Sequence, residues 1–251
     1  MKIKLAGKNL EDIVPLLDAM GFKQTRGKPE MVVAHGGDGT LLMAERDYPS
    51  IPKLPLRDSR TAPLCAKHSY EKQLKMFCAG KTTRTELAKL SGEFGQCSIT
   101  GINDIFIHNL ERVSALRYQV WIDDELYANE IVGDGVGLAT VHGSTAYYRS
   151  ITHSIFRVGL GLAFSNSTEA VNHLVIPASS VVRIKIMRGP AIMVADNSPE
   201  KITLEEGDQV CIRQSPEKAV LFGLENFMCQ QCRILRHPNK YPFKNYYPSF
   251  K

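Results

Sequence analysis

Residues Met31 to Met43 read MVVAHGGDGTLLM, an apolar run that breaks at three glycines around one aspartate and then resumes. Met31 to Ala34 suits a short, fully buried strand, and Thr40 to Arg46 suits the opening of a helix. Upstream, residues 2–6 alternate and break at Gly7, as a first strand does. Asn9 to Met20 places Leu10, Ile13, Val14, Leu16 and Leu17 near helical spacing, with Gly21 as a stop. Pro15 lies inside that pattern, so the helix kinks there or begins later. A β-α-β-α start of this kind builds a Rossmann-like parallel sheet with helices on its faces.

The glycine turn also speaks to chemistry. Gly36, Gly37 and Gly39 let the backbone approach a ligand closely. The helix that follows presents N–H groups and a partial positive charge, which attract phosphate. The string is neither the usual P-loop nor a dinucleotide G-x-G-x-x-G. A carboxylate facing phosphate alone would be wasted. Asp38 becomes useful if a hydroxyl must lose a proton beside that phosphate, because a carboxylate within reach accepts it as the hydroxyl attacks. Phosphoryl transfer otherwise needs positioning and charge neutralisation. The turn therefore points to a kinase acting on an alcohol, with Thr40 closing the motif. The plainer alternative is a tight turn with Asp38 as a helix cap.

Pro49 to Pro63 reads as a loop, rich in proline and charge, and Tyr70 to Ala79 as a helix. The character then changes. Ile99 to His108, Val113 to Ile122, Val181 to Met187, Ala191 to Ala195, Gln209 to Arg213 and Lys218 to Phe222 are strand-like. Asp123-Asp124 can turn a hairpin, and Glu206-Gly207-Asp208 another turn. The expected organisation is an α/β segment over residues 1–81, a β-rich segment over 82–225 and a C-terminal segment over 226–251. The last part, His237 to Lys251, is basic and aromatic; it is expected to pack back on the domain or on a second subunit rather than to form a binding strip.

Composition excludes several classes. Of 251 residues, 43% are hydrophobic and 23% charged, an ordinary globular balance. The excess of 31 Lys and Arg over 26 Asp and Glu is mild and scattered. It suits phosphorylated ligands, whereas a nucleic-acid binder would show a denser patch. The best membrane candidate, Ile155 to Phe164, is shorter than the roughly 18 apolar residues required and holds Arg157. Six dispersed cysteines suggest reduced thiols and a cytoplasmic location. Cys229 and Cys232 have C-x-x-C spacing but lack the second pair that a structural zinc needs.

Two further constellations stand out. Asn103-Asp104 places adjacent polar residues inside a strand-like run, where they suit a base or ribose, or a bulge or sheet edge. Gly133 to Thr140 and Val141 to Tyr147 read as two glycine-rich turns around a short apolar strand. Asp134 can meet ribose hydroxyls or an amide there, and Ser144, Thr145 and Tyr147 offer hydroxyls.

In this order and at these separations, Gly36-Gly37-Asp38-Gly39-Thr40, Asn103-Asp104, Asp134-Gly135 and Gly143-Ser144-Thr145-Ala146-Tyr147 resemble the motifs of the NAD kinases. The resemblance covers about residues 30–150. It implies an α/β N-terminal domain, a β-rich C-terminal domain and a C-terminal segment returning to the first. It implies phosphorylation of the adenosine-ribose 2′-hydroxyl of NAD by ATP or polyphosphate with a divalent metal, usually Mg²⁺. It also implies a homodimer or homotetramer, while composition argues against a nucleic-acid or membrane partner. Carried over by motif, Asp38 binds the ribose hydroxyls and acts as base, and Gly36, Gly37 and Gly39 shape the phosphate turn. Asn103 and Asp104 form the adenine- and ribose-side pair. Asp134 is the nicotinamide-side aspartate, contributed by a neighbouring subunit. Thr145, Ala146, Tyr147 and Ser150 line the nucleotide.

The chain departs from that pattern in places. Asp104 stands where glutamate is usual, and Val141-His142 where Pro-Thr or Pro-Ser is usual. Ile151-Thr152-His153 replaces a Gly-Gly pair. Leu56 to Leu64 replaces an Asn-x-Gly-x-Leu-Gly-Phe stretch, losing its glycines and gaining Arg57 and Arg60. Those arginines either hold phosphates or lie on the loop surface. The alternatives are a related kinase acting on a lipid or sugar hydroxyl, and a nucleotide-binding regulator without catalysis.

Overall fold

The computed structural model describes residues 1–61, 68–111 and 113–227. The chain divides into two compact units: Met1–Ala44, Ile51–Thr85 and the chain from Val220 in the first, Glu45–Ser50 and Glu86–Ala219 in the second.

In the first unit, β1 (Lys2–Gly7) is followed by a 3-10 turn at Leu10–Asp12, α1 (Val14–Ala19) and β2 (Lys23–Gln24). Then come β3 (Met31–Gly36), α2 (Asp38–Asp47), β4 (Lys53–Arg57) and α3 (Tyr70–Cys78). The helix begins late, as Pro15 requires: the proline sits in the first turn of α1, where its missing N–H costs nothing. The strands pair in parallel in the order β2-β1-β3-β4. All six residues of β3 are buried, as expected of a central parallel strand. Ile3, Leu17, Val33, Leu54, Leu56 and Leu74 belong to the core of this unit.

The loop expected over Pro49 to Pro63 is corrected. Lys53–Arg57 is a fully buried strand, masked in the sequence by Pro55 and its charged ends. The hydrogen bonds explain how Pro55 fits. Val32 N–H goes to Pro52 O, and Asp58 N–H goes to Gly36 O. A parallel strand points successive residues to alternate neighbours, so the even-numbered residues of β4 bond to β3. Pro55 faces the other side, where Leu221 pairs with Lys53, and its missing N–H costs the β3–β4 ladder nothing.

The second unit is β-rich. It runs through β5 (Arg84–Phe94), β6 (Cys97–Gly101), β7 (Asp104–Asn109), β8 (Leu116–Ile122), β9 (Glu125–Gly133) and β10 (Gly135–Ala139). A 3-10 turn at Gly143–Thr145 and α4 (Tyr147–Thr152) follow. Then come β11 (Leu160–Ser165), β12 (His173–Ile176), β13 (Val181–Arg188), β14 (Ala191–Ala195), β15 (Lys201–Leu204) and β16 (Gln209–Phe222). β16 ends in the first unit, followed there by α5 (Leu224–Phe227).

One sheet carries β16-β13-β8-β9, with β5 and β6 attached through β16. The other is antiparallel, in the order β12-β11-β10-β7-β14-β15. Alternating residues of both sheets, such as Ile184 and Val120 on one and Leu138 and Ile107 on the other, form a shared core. On the second sheet, Phe106, Ala139 and Ala163 pack with Tyr148 of α4 and Phe156. The Asp123-Asp124 hairpin is present, both residues having positive φ. Two expectations are corrected here. Ile99 to His108 is two strands broken at residues 102–103, and Gln209 to Phe222 is one strand running through Pro216. Arg84–Phe94 is a strand that alternation did not reveal, because charged residues interrupt it.

Among the described residues no helix is long and apolar enough to cross a membrane. Cys229, Cys232 and the tail 237–251 lie outside the described residues, as does all but the start of the 226–251 segment.

Candidate functional site

Two sets of the expected residues are built by the fold, one in each unit. In the first unit, the order β2-β1-β3-β4 reverses between β1 and β3, and open parallel sheets bind ligands at the carboxyl ends of their strands at such a point. The glycine turn leaves the carboxyl end of β3 there. Helix α2 starts at Asp38, two residues before the expected Thr40. Thr40 and Leu41 donate their N–H groups to Gly37 O at 3.0 and 3.2 Å. A Cβ on Gly36 would lie 2.1 Å from Thr40 Oγ1, so the threonine closes over that glycine. A Cβ on Gly37 would meet nothing within 4 Å. Asp38 and Gly39 are exposed. An acid in a first helical turn is favoured by the helix dipole whether or not it does chemistry.

The surrounding loops are tied together. His35 is buried, with Nδ1 2.7 Å from Lys8 O and Nε2 3.1 Å from the Tyr70 hydroxyl. Tyr70 accepts the Ser59 N–H at 2.7 Å and donates to Ser59 Oγ at 2.9 Å. Buried Asp58 accepts from Asn9 Nδ2 and from the Arg60 N–H, both at 2.9 Å. Arg60 bonds Asp12 through Nε at 2.8 Å and approaches Glu11 at 3.0 Å. Its guanidinium holds the Asp12 carboxyl below the usual range. Arg57 is buried, with Nη1 3.3 Å from Phe227 O and its guanidinium 5.7 Å from the Phe227 ring centre. The surface-loop alternative is corrected for Arg57, which is interior; Arg60 does lie on the loop surface, engaged there by Asp12 and Glu11.

In the second unit, Asn103 lies in the bend between β6 and β7, and Asp104 opens β7. The placement of both inside one strand is corrected accordingly. The bend meets the Gly143–Thr145 segment directly. Thr140 donates its N–H to Asn103 O at 2.8 Å and its hydroxyl to Ile102 O at 2.6 Å. Gly143 N–H reaches Thr140 Oγ1 at 3.1 Å. A Cβ on Gly143 would lie 2.0 Å from Asn103 O, so only glycine lets the two backbones touch. Asp104 is buried, and its carboxyl is raised to about 7 by loss of solvent and by the nearby Asp196 carboxylate. Thr145, Tyr147 and Ser150 are exposed and Ala146 is half-buried. The Tyr147 ring stands edge-on to Phe106 at 4.9 Å and 5.4 Å from His108, whose imidazole burial holds below its usual pKa.

Asp134 stands apart. It joins β9 to β10 and accepts from Asn166 Nδ2 at 2.8 Å. The whole of β10, roughly 17 Å for five residues, separates it from Asn103. Sequence reasoning missed Asp196, which follows β14 and bonds the Asn103 bend. Its only sequence signal is an aspartate ending an alternating strand.

A family model described as the ATP-NAD kinase C-terminal domain matches residues 102–224. An NAD kinase of Nitrosococcus oceani is 31% identical over 208 residues, covering 76% of this chain and 70% of that one. An NAD kinase of Sulfurisphaera tokodaii is 29% identical over 201 residues, covering 74% and 78%. The crystal structure of yeast NADH kinase complexed with NADH superposes with a TM-score of 0.73 at 17% identity, covering 100% of this chain and 89% of that one. The crystal structure of an Archaeoglobus fulgidus NAD kinase in complex with ATP also gives 0.73 at 17%, covering 90% and 96%. These structures establish a shared two-domain architecture.

Proposed function

The chain belongs to the NAD kinase family of phosphotransferases, and we propose that it phosphorylates the adenosine-ribose 2′-hydroxyl of NAD, with ATP or polyphosphate as donor. One observation carries this reading: an exposed Asp38 opens a helix behind a Gly36-Gly37 turn at the carboxyl end of a parallel strand. With ATP, the ribose oxygen forms a bond to the γ-phosphorus, the bond from that phosphorus to the β-phosphate oxygen breaks, and ADP leaves. The hydroxyl proton passes to the Asp38 carboxylate. The open space at Gly37 and the first turn of α2 suit phosphate oxygens.

Asn103 and Asp104 would hold the adenine and ribose side. Thr145, Ala146, Tyr147 and Ser150 would line the nucleotide. Asp134 would reach the nicotinamide of a neighbouring copy, in keeping with its distance from Asn103. Bound NADH in the yeast enzyme and bound ATP in the archaeal one support this choice of ligands. Among the described residues no group of three His, Cys, Asp or Glu side chains could hold a metal ion. A divalent ion such as Mg²⁺ would neutralise the donor phosphates. A cytoplasmic homo-oligomer completes the proposal.

The test offers NAD, ceramide and fructose phosphate separately with ATP and Mg²⁺, and follows phosphoryl transfer. Transfer to NAD alone is expected. Transfer to ceramide or to the sugar would replace the reading.

A further inference from the structure

The Asp196 carboxylate lies against the backbone of the Asn103 bend. Its Oδ2 accepts the Ile102 N–H at 2.8 Å, and its Oδ1 accepts the N–H groups of Asn103 at 2.7 Å and Asp104 at 3.2 Å. The tie is reciprocal, since Asp196 N–H donates to Asp104 O at 3.0 Å. Three successive N–H groups converging on one anion form a backbone nest. The fit is close: a Cβ on Gly101 would lie 2.7 Å from Asp104 O and 3.0 Å from Asp196 Oδ1. Asp196 itself has φ 50, a left-handed conformation that aspartate and asparagine tolerate better than most residues. Across the bend, Thr140 holds Asn103 O and Gly143 packs against it. The peptide planes on both sides of Asn103 are therefore fixed.

We infer that Asp196 is the positioning residue of the nucleotide site, aiming the Asn103 and Asp104 side chains through the backbone they share. This rests on the reading that Asn103 and Asp104 hold NAD. The role also has an electrostatic side. Asp196 is the charged neighbour that adds to burial in raising the Asp104 carboxyl. Burial raises the Asp196 carboxyl itself, opposed by the three N–H groups and, more weakly, by the charge of His142. Asp196 thus fixes the backbone that carries Asp104 and adds to burial in raising the pH at which Asp104 ionises.

Titration calorimetry with NAD, on the full chain, tests this with Asp196→Ala, Asp196→Asn and Asn103→Ala, each checked for folding by thermal melting. Asp196→Ala removes both acceptor oxygens, and with them all three hydrogen bonds, and is expected to weaken NAD by about tenfold or more. Asp196→Asn keeps one acceptor oxygen and tolerates the backbone, but sets its amide NH2 against a backbone N–H that the carboxylate accepted, so its affinity is expected to fall less than that of Asp196→Ala. Removing the charge is expected to move the pH midpoint of NAD binding downward in Asp196→Asn. Folded Asp196→Ala that binds NAD normally overturns the inference, as does an unmoved midpoint in Asp196→Asn. If Asn103→Ala binds NAD as the wild type does, the nucleotide assignment itself falls, and the inference with it.

Discussion

Asp58 donates its backbone N–H to the carbonyl of Gly36 at 3.2 Å. The strand ending at Arg57 and the strand ending at Gly36 therefore finish side by side. The glycine turn leaves the sheet next to a buried carboxylate already committed to Asn9 and Arg60. Asp38, by contrast, is exposed. Of these two acids at the carboxyl ends of the strands, Asp38 has the accessibility that chemistry needs.

Asp38→Asn is expected to lower turnover by roughly 10²–10⁴-fold, the usual worth of a positioned base. NAD affinity should fall much less. Steady-state kinetics beside calorimetry checks this, and near-normal turnover would remove Asp38 from the base role.

The two glycines before Asp38 should separate folding from ligand approach. Gly36→Ala drives a methyl group into Thr40 and is expected to cost about 1–3 kcal/mol or more of stability. Gly37→Ala meets open space, so its urea denaturation should match the wild type. If phosphates lie over this turn, Gly37→Ala loses donor affinity without losing stability. Unchanged donor binding in that variant would move the phosphates elsewhere.

Lys89 and Glu45 form a buried ion pair at 3.1 Å, with Glu217 half-exposed at 3.2 Å from the same ammonium. Lys89→Met leaves Glu45 buried without this partner and should destabilise the chain by about 3–5 kcal/mol. Adding Glu45→Leu should recover much of that loss. A double mutant as unstable as the sum of its singles would show that the pair is not the source.

Stability should also report on Asp104. Its carboxyl is raised to about 7, whereas an unfolded aspartate loses its proton near pH 4. Between those values the folded state holds more protons, so stability falls as pH rises and levels off above about 7. Asp196, raised by burial, acts with the same sign. Asp104→Asn cannot ionise and should melt a few degrees above the wild type at about pH 8, with the gap closing near pH 4. A gap independent of pH would contradict the assignment.

Much of this was legible in the sequence. β3 and its glycine turn announced themselves because a fully buried parallel strand is a plain apolar run. The Asp123-Asp124 hairpin was legible from its turn chemistry. β4 was hidden because its burial depends on neighbours: Lys53 and Arg57 are interior, and Pro55 is harmless only on the side away from β3. β16 was split in two by Pro216 for a similar reason. Asn103 and Asp104 drew notice as polar residues in an apolar run. Asp196 did not, because its role lies in hydrogen bonds to residues more than ninety positions away.

The most direct measurement is NADP⁺ formation. The protein is incubated with NAD⁺ and Mg²⁺, with ATP in one tube and polyphosphate in the other, and an NADP-specific dehydrogenase reads the product. The account predicts product in at least one tube and its near-complete loss in Asp38→Asn. Absence of product in both tubes, from a folded protein that still binds NAD⁺, would contradict it.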